Sequence, residues 1–381
     1  MIQKQEHQTI SGQPAYLFVT SDKKLKFSGD NTFQVELRHR VDKYFETTGQ
    51  AKRDCLRMYV KTAILLFSLI ALYVLLVFFA QTWWQALPLS VLLGVVMAGI
   101  GFNIQHDGGH QAYSNLPWVN KLAGMTIELI GGSSYNWHWK HAVYHHTYVN
   151  ITGHDTDLDI GVFGRLTPHQ QWFPFHRWQH YYLWLLYGLI AVRWQLYDDF
   201  RNVITGRIGE HSYPRPQGWN LVIFLCGKAS FFTLAFGIPL LFHPVWVVLA
   251  FYGLTVLVLG LLLSVVFQLA HAVEEADFPL PQEDSGRIAN PWAIHQSETT
   301  VNFARHNLAI SWFLGGLNFQ VEHHLFPRIC HVNYPIIARL VEQTCQEYGV
   351  QYIEHPSVWA GIVSHFRWLR RMGRPNPTVG R

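Results

Sequence analysis

Charged residues are scarce in this chain of 381 residues. They make up 14% of the sequence, against roughly a quarter in an ordinary soluble domain. Most charges lie outside several long apolar runs, which predicts an integral membrane protein rather than a soluble one. The formal net charge of +4 fits a surface near anionic lipid or an acidic protein partner. Nothing beyond that charge points to nucleic acid.

Several motifs of common protein classes are also missing. The four cysteines form no C-x-x-C pair, which argues against a disulfide framework. There is no G-x-G-x-x-G for a nicotinamide or flavin cofactor and no G-x-S-x-G for a hydrolase nucleophile. Hydrolysis and acyl transfer are therefore not expected. The polar N-terminus lacks an apolar h-region, so we expect no cleavable signal peptide.

Four apolar runs are long enough to cross a bilayer, which takes about 20 helical residues. They cover residues 60–80, 88–105, 220–242 and 245–270. The loops joining the first run to the second, and the third to the fourth, contain no Lys or Arg. The positive-inside rule therefore places both termini, and the long stretch between the second and third runs, in the cytoplasm. We expect an all-α, multi-pass membrane protein.

Three regions follow from these spans. Residues 1–59 form a cytosolic N-terminal segment, residues 60–271 a four-helix membrane domain with a cytosolic insertion at 111–219, and residues 272–381 a cytosolic C-terminal cap. The first 32 residues are polar and without periodicity, so we expect them to include disordered residues.

Two further helices are predicted outside the spans. Phe33, Leu37, Val41 and Phe45 recur at helical spacing, which indicates an amphipathic helix. It either packs on the protein's own cytosolic part or lies on the membrane, and we favour packing. The apolar run 181–194 is too short for a span, so we expect an interfacial or core helix there.

Histidine is abundant, with 22 residues, and four groups fall on the cytosolic side of the predicted topology. The stretch W-K-H-A-V-Y-H-H-T-Y-V-N (139–150) holds three imidazoles, of which His141 and His145 share a face if the segment is helical. The other groups end the second span, end the fourth span and lie in Q-V-E-H-H. The eight histidines are His106, His110, His141, His145, His146, His271, His323 and His324.

Such a density of imidazole suits iron, zinc or copper better than magnesium or calcium. The alternative, for the 139–150 stretch alone, is a polar cytosolic loop. Eight histidines exceed the needs of one metal ion, so two metals are the simpler interpretation.

Three acids alternate just after this stretch, at Asp155, Asp157 and Asp159. They resemble the start of a calcium loop, but Ile160 and Leu166 stand where such a loop needs Gly and Glu. The remaining interpretations are a loop that orients metal-bound imidazoles and a solvated or helix-capping acidic loop.

The histidine motifs together resemble those of the membrane fatty acid desaturases. The order H-D-x-x-H, H-x-x-x-H-H and Q-x-x-H-H on four spans is typical of that family. The Gln of the third box and the phrases G-H-D-T-D-L-D-I-G and G-G-L-N-F-Q-V-E-H-H-L-F-P resemble its bacterial acyl-CoA, linoleoyl-CoA-like and front-end branch. The resemblance runs over residues 33–352.

This resemblance implies a cytosolic helical cap that holds two iron ions. It implies iron ligation by the eight histidines, and Gln320 becomes a ninth candidate, either as a direct ligand, through a water or as support for a ligand. The implied reaction removes two hydrogens from a fatty acyl chain (acyl-CoA or acyl-lipid) and gives a cis double bond. O2 is reduced to two waters in that reaction.

The implied electrons come from outside the chain. No H-P-G-G haem motif of a fused cytochrome b5 domain is present. A ferredoxin or cytochrome b5-type carrier with its reductase is therefore expected, and Arg305 and Arg328 are candidates for its docking surface or simply solvated cations.

Two other functions remain open from the sequence. A hydroxylase or ketolase acting on lipid, alkane or carotenoid could use the same diiron scaffold. A non-enzymatic metal transporter is disfavoured, because its ligands should lie near the bilayer midplane rather than at span ends.

Overall fold

A computed structural model describes residues 25–375, so most of the segment predicted to include disordered residues lies outside the described residues. Four helices within that range are long and apolar enough to cross a membrane, as the sequence predicts: Leu56–Phe79, Trp83–Gly109, Trp219–Leu240 and Val245–His271.

The second spanning helix begins at Trp83, so the prediction that 81–87 is a loop and that the span starts at 88 was wrong. Thr82 and Gln85 form a reciprocal capping box at its start, which satisfies free backbone N–H groups of the first turn. Pro88 lies inside the helix. The pattern T-x-x-Q before an apolar run is a sequence signal for this start.

The helix Gln179–Arg193 packs along the fourth spanning helix, in agreement with the prediction of a core or interfacial helix. Gly188 and Gly260 meet at the crossing, where a Cβ on Gly260 would lie 2.4 Å from the carbonyl oxygen of Gly188. Small residues allow such close backbone approach between membrane helices. The fourth spanning helix is thereby covered on one side by residues of the insertion.

The amphipathic helix Thr32–Thr48 packs on the protein itself, as favoured from the sequence. Phe33, Leu37, Val41 and Phe45 are all buried. Phe33 and Leu37 share a core with Val341, Cys345 and other residues of the C-terminal region. The N-terminal segment is thus attached to the cap that carries the third histidine box.

The remaining elements are short and surround the ends of the spanning helices. Further helical segments cover Pro117–Gly124, Thr126–Leu129, Ser134–Trp137, His138–His145, His146–Tyr148, Trp194–Asp198, Asp199–Thr205, Trp292–Glu298, Leu308–Phe313, Gln320–Leu325, Tyr334–Tyr348 and Val358–Met372, with 3-10 turns at Thr156–Leu158, Gly161–Phe163, Pro174–Trp178 and His331–Asn333. Two parallel strand pairs join Lys26–Phe27 to Arg287–Ile288 and Asn302–Phe303 to Glu354–His355, and one antiparallel pair joins Arg207–Ile208 to His211–Ser212.

Candidate metal centre

All eight histidines predicted from the boxes are buried in one volume at one end of the spanning helices. The second and fourth spanning helices end there, with His106 and His271 in their last turns. The third box lies on the helix Gln320–Leu325, all of whose residues are buried. Segments distant in the sequence therefore converge on one site.

The second histidine box is π-helical over His138–His145, not α-helical as the prediction of one shared face assumed. A π-helical turn closes its hydrogen bonds at the fifth residue rather than the fourth. Residue 146 therefore lies close to one full turn beyond His141. The rings of His145 and His146 both approach His141, with centroids 5.1 and 4.9 Å away.

The eight histidines form two adjoining groups. In the first, the ring nitrogens of His106, His110, His141 and His323 lie within 4.8 Å of one another. In the second, those of His145, His271 and His324 do so. His146 lies between the groups, because its ring nitrogen is grouped with those of His323 and His324.

Gln320 belongs to the second group. Its amide nitrogen lies 3.0 Å from His271 Nε2 and 3.3 Å from His324 Nε2. The side chain is buried and aims its polar end at the same point as these two imidazoles. Both contacts are made by the amide nitrogen, which donates hydrogen bonds, whereas metal ligation would use the carboxamide oxygen at the other side of the same group.

Several ring nitrogens have no hydrogen-bond partner among the described residues. They are His110 Nε2, His145 Nε2, His323 Nε2 and both ring nitrogens of His146. Buried polar atoms are normally satisfied, and metal ions bound to these imidazoles would provide a partner for one nitrogen of each ring. The donor set of imidazoles suits iron, zinc or copper. The residues present therefore fit two metal ions.

Burial keeps the imidazoles in the neutral form that binds metal. It lowers the pKa of His141 to about 4. It holds the pKa values of His146, His323 and His324 well below the ordinary value. His145 differs: burial is the largest single effect and lowers its pKa, but the charge and hydrogen bond of Asp155 together with the charge of Asp157 outweigh it, and the net shift is upward.

Four of the histidines have their Nδ1 atoms held by a neighbouring oxygen. His145 Nδ1 lies 3.1 Å from Asp155 Oδ1. The other three pairs are His323 with Tyr334 Oη at 3.2 Å, His324 with Gln296 Oε1 at 2.8 Å and His271 with the Thr299 carbonyl oxygen at 3.4 Å. Such contacts fix a ring's tautomer and direct its Nε2 toward a metal.

The three acids of this loop have different roles: some orient imidazoles and one caps the loop, the two interpretations that the sequence left open. Asp155 orients His145 and also accepts hydrogen bonds from the backbone N–H groups of Asn150 and Asp157. The Asp157 carboxylate lies 3.6 Å from His145 Nδ1 and pairs with Lys140 at 3.1 Å. Asp159 caps its own loop by accepting from the N–H of Gly161.

Sequence reasoning missed Gln296, Thr299, Tyr334 and Asn150. Asn150 donates its amide hydrogens to the carbonyl oxygens of His271, Asp277 and Thr299. No local motif marks these residues, because each acts on a histidine far away along the chain.

Lys61 was also missed, since it lies within the first spanning helix and was counted as part of an apolar run. Its ammonium is buried 2.8 Å from His331 Nε2, and His331 Nδ1 lies 2.9 Å from Asp107 Oδ2. Asp107, Cys330 and His331 are spaced like metal ligands. Because the Lys61 ammonium already lies against His331, we interpret this cluster as an ion-pair network. It holds Asp107, and with it the first histidine box (106–110), in place.

Four spanning helices that bring eight buried histidines together in two groups define a membrane protein with a candidate two-metal site. A sequence model of the family described as "Fatty acid desaturase" matches residues 81–356. The chain is 38% identical over 352 residues to the sn-1 linoleoyl-lipid 6-desaturase of Synechocystis sp., covering 92% of this chain and 98% of that relative.

Two other relatives are similar over comparable lengths. The sn-1 linoleoyl-lipid 6-desaturase of Arthrospira platensis is 37% identical, covering 92% of this chain and 95% of its own. The acyl-lipid (8-3)-desaturase of Physcomitrium patens is 33% identical, covering 90% and 72%. The chain therefore belongs to the fatty acid desaturase family, and it is an oxidoreductase that desaturates fatty acyl chains.

Proposed function

We propose that this protein holds two iron ions and uses O2, with two electrons from a separate carrier, to introduce a cis double bond into a fatty acyl chain. The observation that carries the proposal is the pair of buried histidine groups whose unpartnered ring nitrogens face one volume. One iron would be held by His106, His110, His141 and His323. The other would be held by His145, His271, His324 and Gln320 of the second group.

His146 lies where it can serve either iron. Both of its ring nitrogens are buried without a partner among the described residues. Its ring stacks on that of His324 with centroids 4.3 Å apart, and it lies 4.5 Å from the ring of His110 in the other group. It is therefore the histidine best placed to couple the two metal positions.

Irons at this site would supply the oxygen chemistry that an unactivated C–H bond requires and no amino-acid side chain provides. The protein's part is to keep the imidazoles neutral, orient them and exclude water. Reduction of O2 to two waters takes four electrons and four protons. The two hydrogens removed from the acyl chain supply two of each. The carrier supplies the other two electrons, and two protons are taken up with them.

An apolar cavity of about 1100 Å³ lies between the spanning helices. Leu66, Met97 and Leu129 form part of its wall, and Trp83 and His243 lie at its other end. Met97 is nine residues before His106 on one helix, a separation of about 13 Å along the axis. We propose that this cavity holds the hydrocarbon part of the substrate. Lipid-bound linoleoyl chains are the first substrate to test, because two relatives are named for that activity.

The proposed orientation has both termini and the metal centre in the cytoplasm of a bacterial inner membrane. Its support is the absence of Lys and Arg from the 81–82 and 241–244 loops. The proposed regions are the N-terminal segment 1–59, the membrane domain 60–271 with its insertion 111–219, and the cap 272–381. A reporter active only in the cytoplasm, fused to each terminus in turn, tests the orientation.

The electron carrier is proposed to be a ferredoxin or a cytochrome b5-type protein with its reductase. Arg328 is exposed near the third box and remains a candidate docking residue. Arg305 has a side chain that is only 10% exposed and is paired with Glu342 and Glu354, which disfavours both a docking role and the alternative of a solvated cation.

Product analysis tests the function directly. The chain is expressed in a host without polyunsaturated acids, which is fed saturated, monoenoic and dienoic acids separately, and the lipids are analysed by gas chromatography–mass spectrometry after double-bond derivatisation. A new double bond should appear with the unaltered chain and with His306→Ala, an exposed histidine outside both groups. It should disappear with His145→Ala.

Other outcomes identify the alternatives. A hydroxylated or keto product would assign the chain to the hydroxylase or ketolase alternative. If no product forms, a ferredoxin is co-expressed, and continued absence of product with two irons bound would contradict the proposal. Movement of metal across the membrane without turnover would support the transporter.

A further inference from the structure

A second cleft lies outside the metal centre, and none of the nine candidate ligands lines it. It is formed where the 3-10 turn Pro174–Trp178 and the start of the helix Gln179–Arg193 face the end of the helix Val358–Met372, and it encloses about 360 Å³. Three arginines and three aromatic residues line it: Arg177, Arg370, Arg374, Trp178, Tyr181 and Phe366.

The cleft is strongly cationic. Among the described residues, no aspartate or glutamate lines it. All three arginines are exposed, and Arg177 uses its Nε only for the carbonyl oxygen of Pro174, at 2.9 Å. Arginine clusters of this kind recognise phosphate, because a guanidinium can give it two parallel hydrogen bonds.

His180 gives an independent indication of a ligand. It lines the same cleft, its side chain is only 6% exposed, and its Nδ1 has no hydrogen-bond partner among the described residues. A buried ring nitrogen without a partner is unusual. An anion held by the arginines would lie against this residue and could accept its hydrogen bond.

The walls of the cleft are fixed by contacts on their far sides. Arg165 Nη1 donates to the carbonyl oxygens of Met372 and Arg374, each at 2.9 Å. Trp172 Nε1 donates to the Gly373 carbonyl oxygen at 2.9 Å. A Cβ on Gly373 would lie 2.5 Å from the His176 carbonyl oxygen, so the two walls touch at that point. The backbone on both sides of the cleft is therefore held in place by these contacts, and the cleft is not a gap between mobile side chains.

Beneath the cleft, the helix Gln179–Arg193 exposes an apolar stripe. Tyr181, Leu185 and Leu189 are 61%, 64% and 46% exposed and follow one another at four-residue spacing. The same helix packs on the fourth spanning helix through Gly188. An exposed apolar stripe beside a spanning helix faces lipid chains, and Trp178 with Tyr181 at its top suits the interface where headgroups lie.

We propose that this cleft binds the phosphate headgroup of an anionic phospholipid from the leaflet on the histidine side of the membrane, with the lipid's chains along the stripe. The arginines contact the phosphate, His180 donates to it, and the aromatic side chains lie at the glycerol level. This site is independent of the reaction at the metal centre.

Native mass spectrometry of the delipidated protein in detergent tests the proposal. The probes are phosphatidylglycerol, phosphatidylcholine with the same acyl chains, and inorganic phosphate. R177Q/R370Q removes two cleft arginines. R367Q/R371Q removes two arginines of the helix Val358–Met372 that do not line the cleft. The two variants therefore lose the same charge.

We expect phosphatidylglycerol to bind the unaltered protein more tightly than phosphatidylcholine, and inorganic phosphate not to displace it. R177Q/R370Q should weaken phosphatidylglycerol binding about thirtyfold, at about fivefold for each arginine near a membrane surface, whereas R367Q/R371Q should leave it unchanged. Equal weakening in both variants would overturn the proposal in favour of diffuse charge attraction. Displacement by inorganic phosphate would overturn it in favour of a free-anion site.

The comparison of the two lipids on the unaltered protein needs no variant and therefore does not depend on how the variants fold. Equal affinity for phosphatidylglycerol and phosphatidylcholine there would contradict an anionic-lipid site by itself.

Discussion

Asp155 holds the ring of His145 without being placed to bind metal itself. Its two carboxylate oxygens lie 3.1 and 3.2 Å from His145 Nδ1, and Asn150 N–H fixes the carboxylate in turn. We expect Asp155→Asn to lower iron affinity about 10- to 100-fold, the usual effect of losing such a support. Iron per protein, measured by mass spectrometry of purified samples, checks this.

Asp159→Asn is the matched control for that experiment. This acid lies in the same loop but is exposed and caps only the N–H of Gly161. Its substitution should leave iron content unchanged. Equal iron in both variants would show that the carboxylate of Asp155 does not support a ligand.

Gln320 gives a second prediction for a single residue. Its amide nitrogen lies 3.0 Å from His271 Nε2 within the second group. If its carboxamide oxygen binds iron, as we propose, Gln320→Ala removes one ligand and should lower iron from two to about one per chain. Gln320→His should keep two, since imidazole is the stronger iron ligand. Two irons and full turnover in Gln320→Ala would exclude direct ligation by this side chain.

At the scale of elements, the π-helical segment His138–His145 determines which histidines share a face. The extra residue in its turns brings His146 beside His141, whereas an α-helix would turn it away. Inserting one alanine after Val143 should rotate His145 and His146 by roughly 100° about the helix axis, out of the two groups, and abolish iron binding. Val143→Ala keeps the register and should bind iron normally. The prediction is wrong if the insertion variant, still folded by circular dichroism, retains its iron.

The glycine crossing is a second feature at this scale. A Cβ on Gly260 would lie 2.4 Å from the Gly188 carbonyl oxygen, so Gly260→Ala should destabilise the protein by about 1–3 kcal/mol, as overpacking usually does. Gly253 lies on the same helix with nothing within 4 Å of its Cβ position. Gly253→Ala should instead stabilise by about 1 kcal/mol through helix propensity. Thermal unfolding in detergent compares the two, and a loss of equal size in both would refute close packing at residue 260.

The sequence predicted the four spans because a run of about 20 apolar residues is an unambiguous signal. The topology also predicted that the four histidine clusters lie on one side of the membrane, since span ends with the same topology must do so, and the resemblance to the desaturase boxes added Gln320. It could not predict the π-helical turn, because periodicity over eight residues does not distinguish it from an α-helix. Nor could it pair His324 with Gln296 or His323 with Tyr334, because those contacts depend on packing in the cap.

Across the whole molecule, the candidate metal centre combines two spanning helices, the π-helical segment of the insertion and the C-terminal cap. The helix Thr32–Thr48 packs on that cap, and Lys61 of the first spanning helix hydrogen-bonds to His331 of the cap. The metal centre is thus a junction at which all regions meet. Changes that weaken it should therefore reduce the stability of the whole chain.

Acidification is such a change, and its effect has a definite sign. The pKa of His141 falls from 6.5 to about 4 on folding because of burial. Between these two pH values the unfolded chain binds a proton that the folded chain does not, so stability falls as pH decreases. For His141 alone the loss at pH 5.5 is about 1.4 kcal/mol.

His146, His323 and His324 act in the same direction, since burial lowers their pKa values too. His145 opposes them: its pKa is raised, so its contribution is full below pH 6.5 and is lost as pH rises through the raised value. Three buried histidines and His141 outweigh the single opposing group. We therefore expect the chelator-treated protein to melt at a markedly lower temperature at pH 5.5 than at pH 7.5.

Differential scanning fluorimetry in detergent at the two pH values measures this effect, and His141→Gln provides the control because it removes one titrating group without adding a charge. The difference in melting temperature between pH 7.5 and 5.5 should be smaller in that variant. An unchanged difference would mean that His141 is already protonated, or accessible to water, in the folded chain. The metal-free site would then not consist of buried, neutral imidazoles. The proposed affinity for iron would have to come from groups other than these buried histidines.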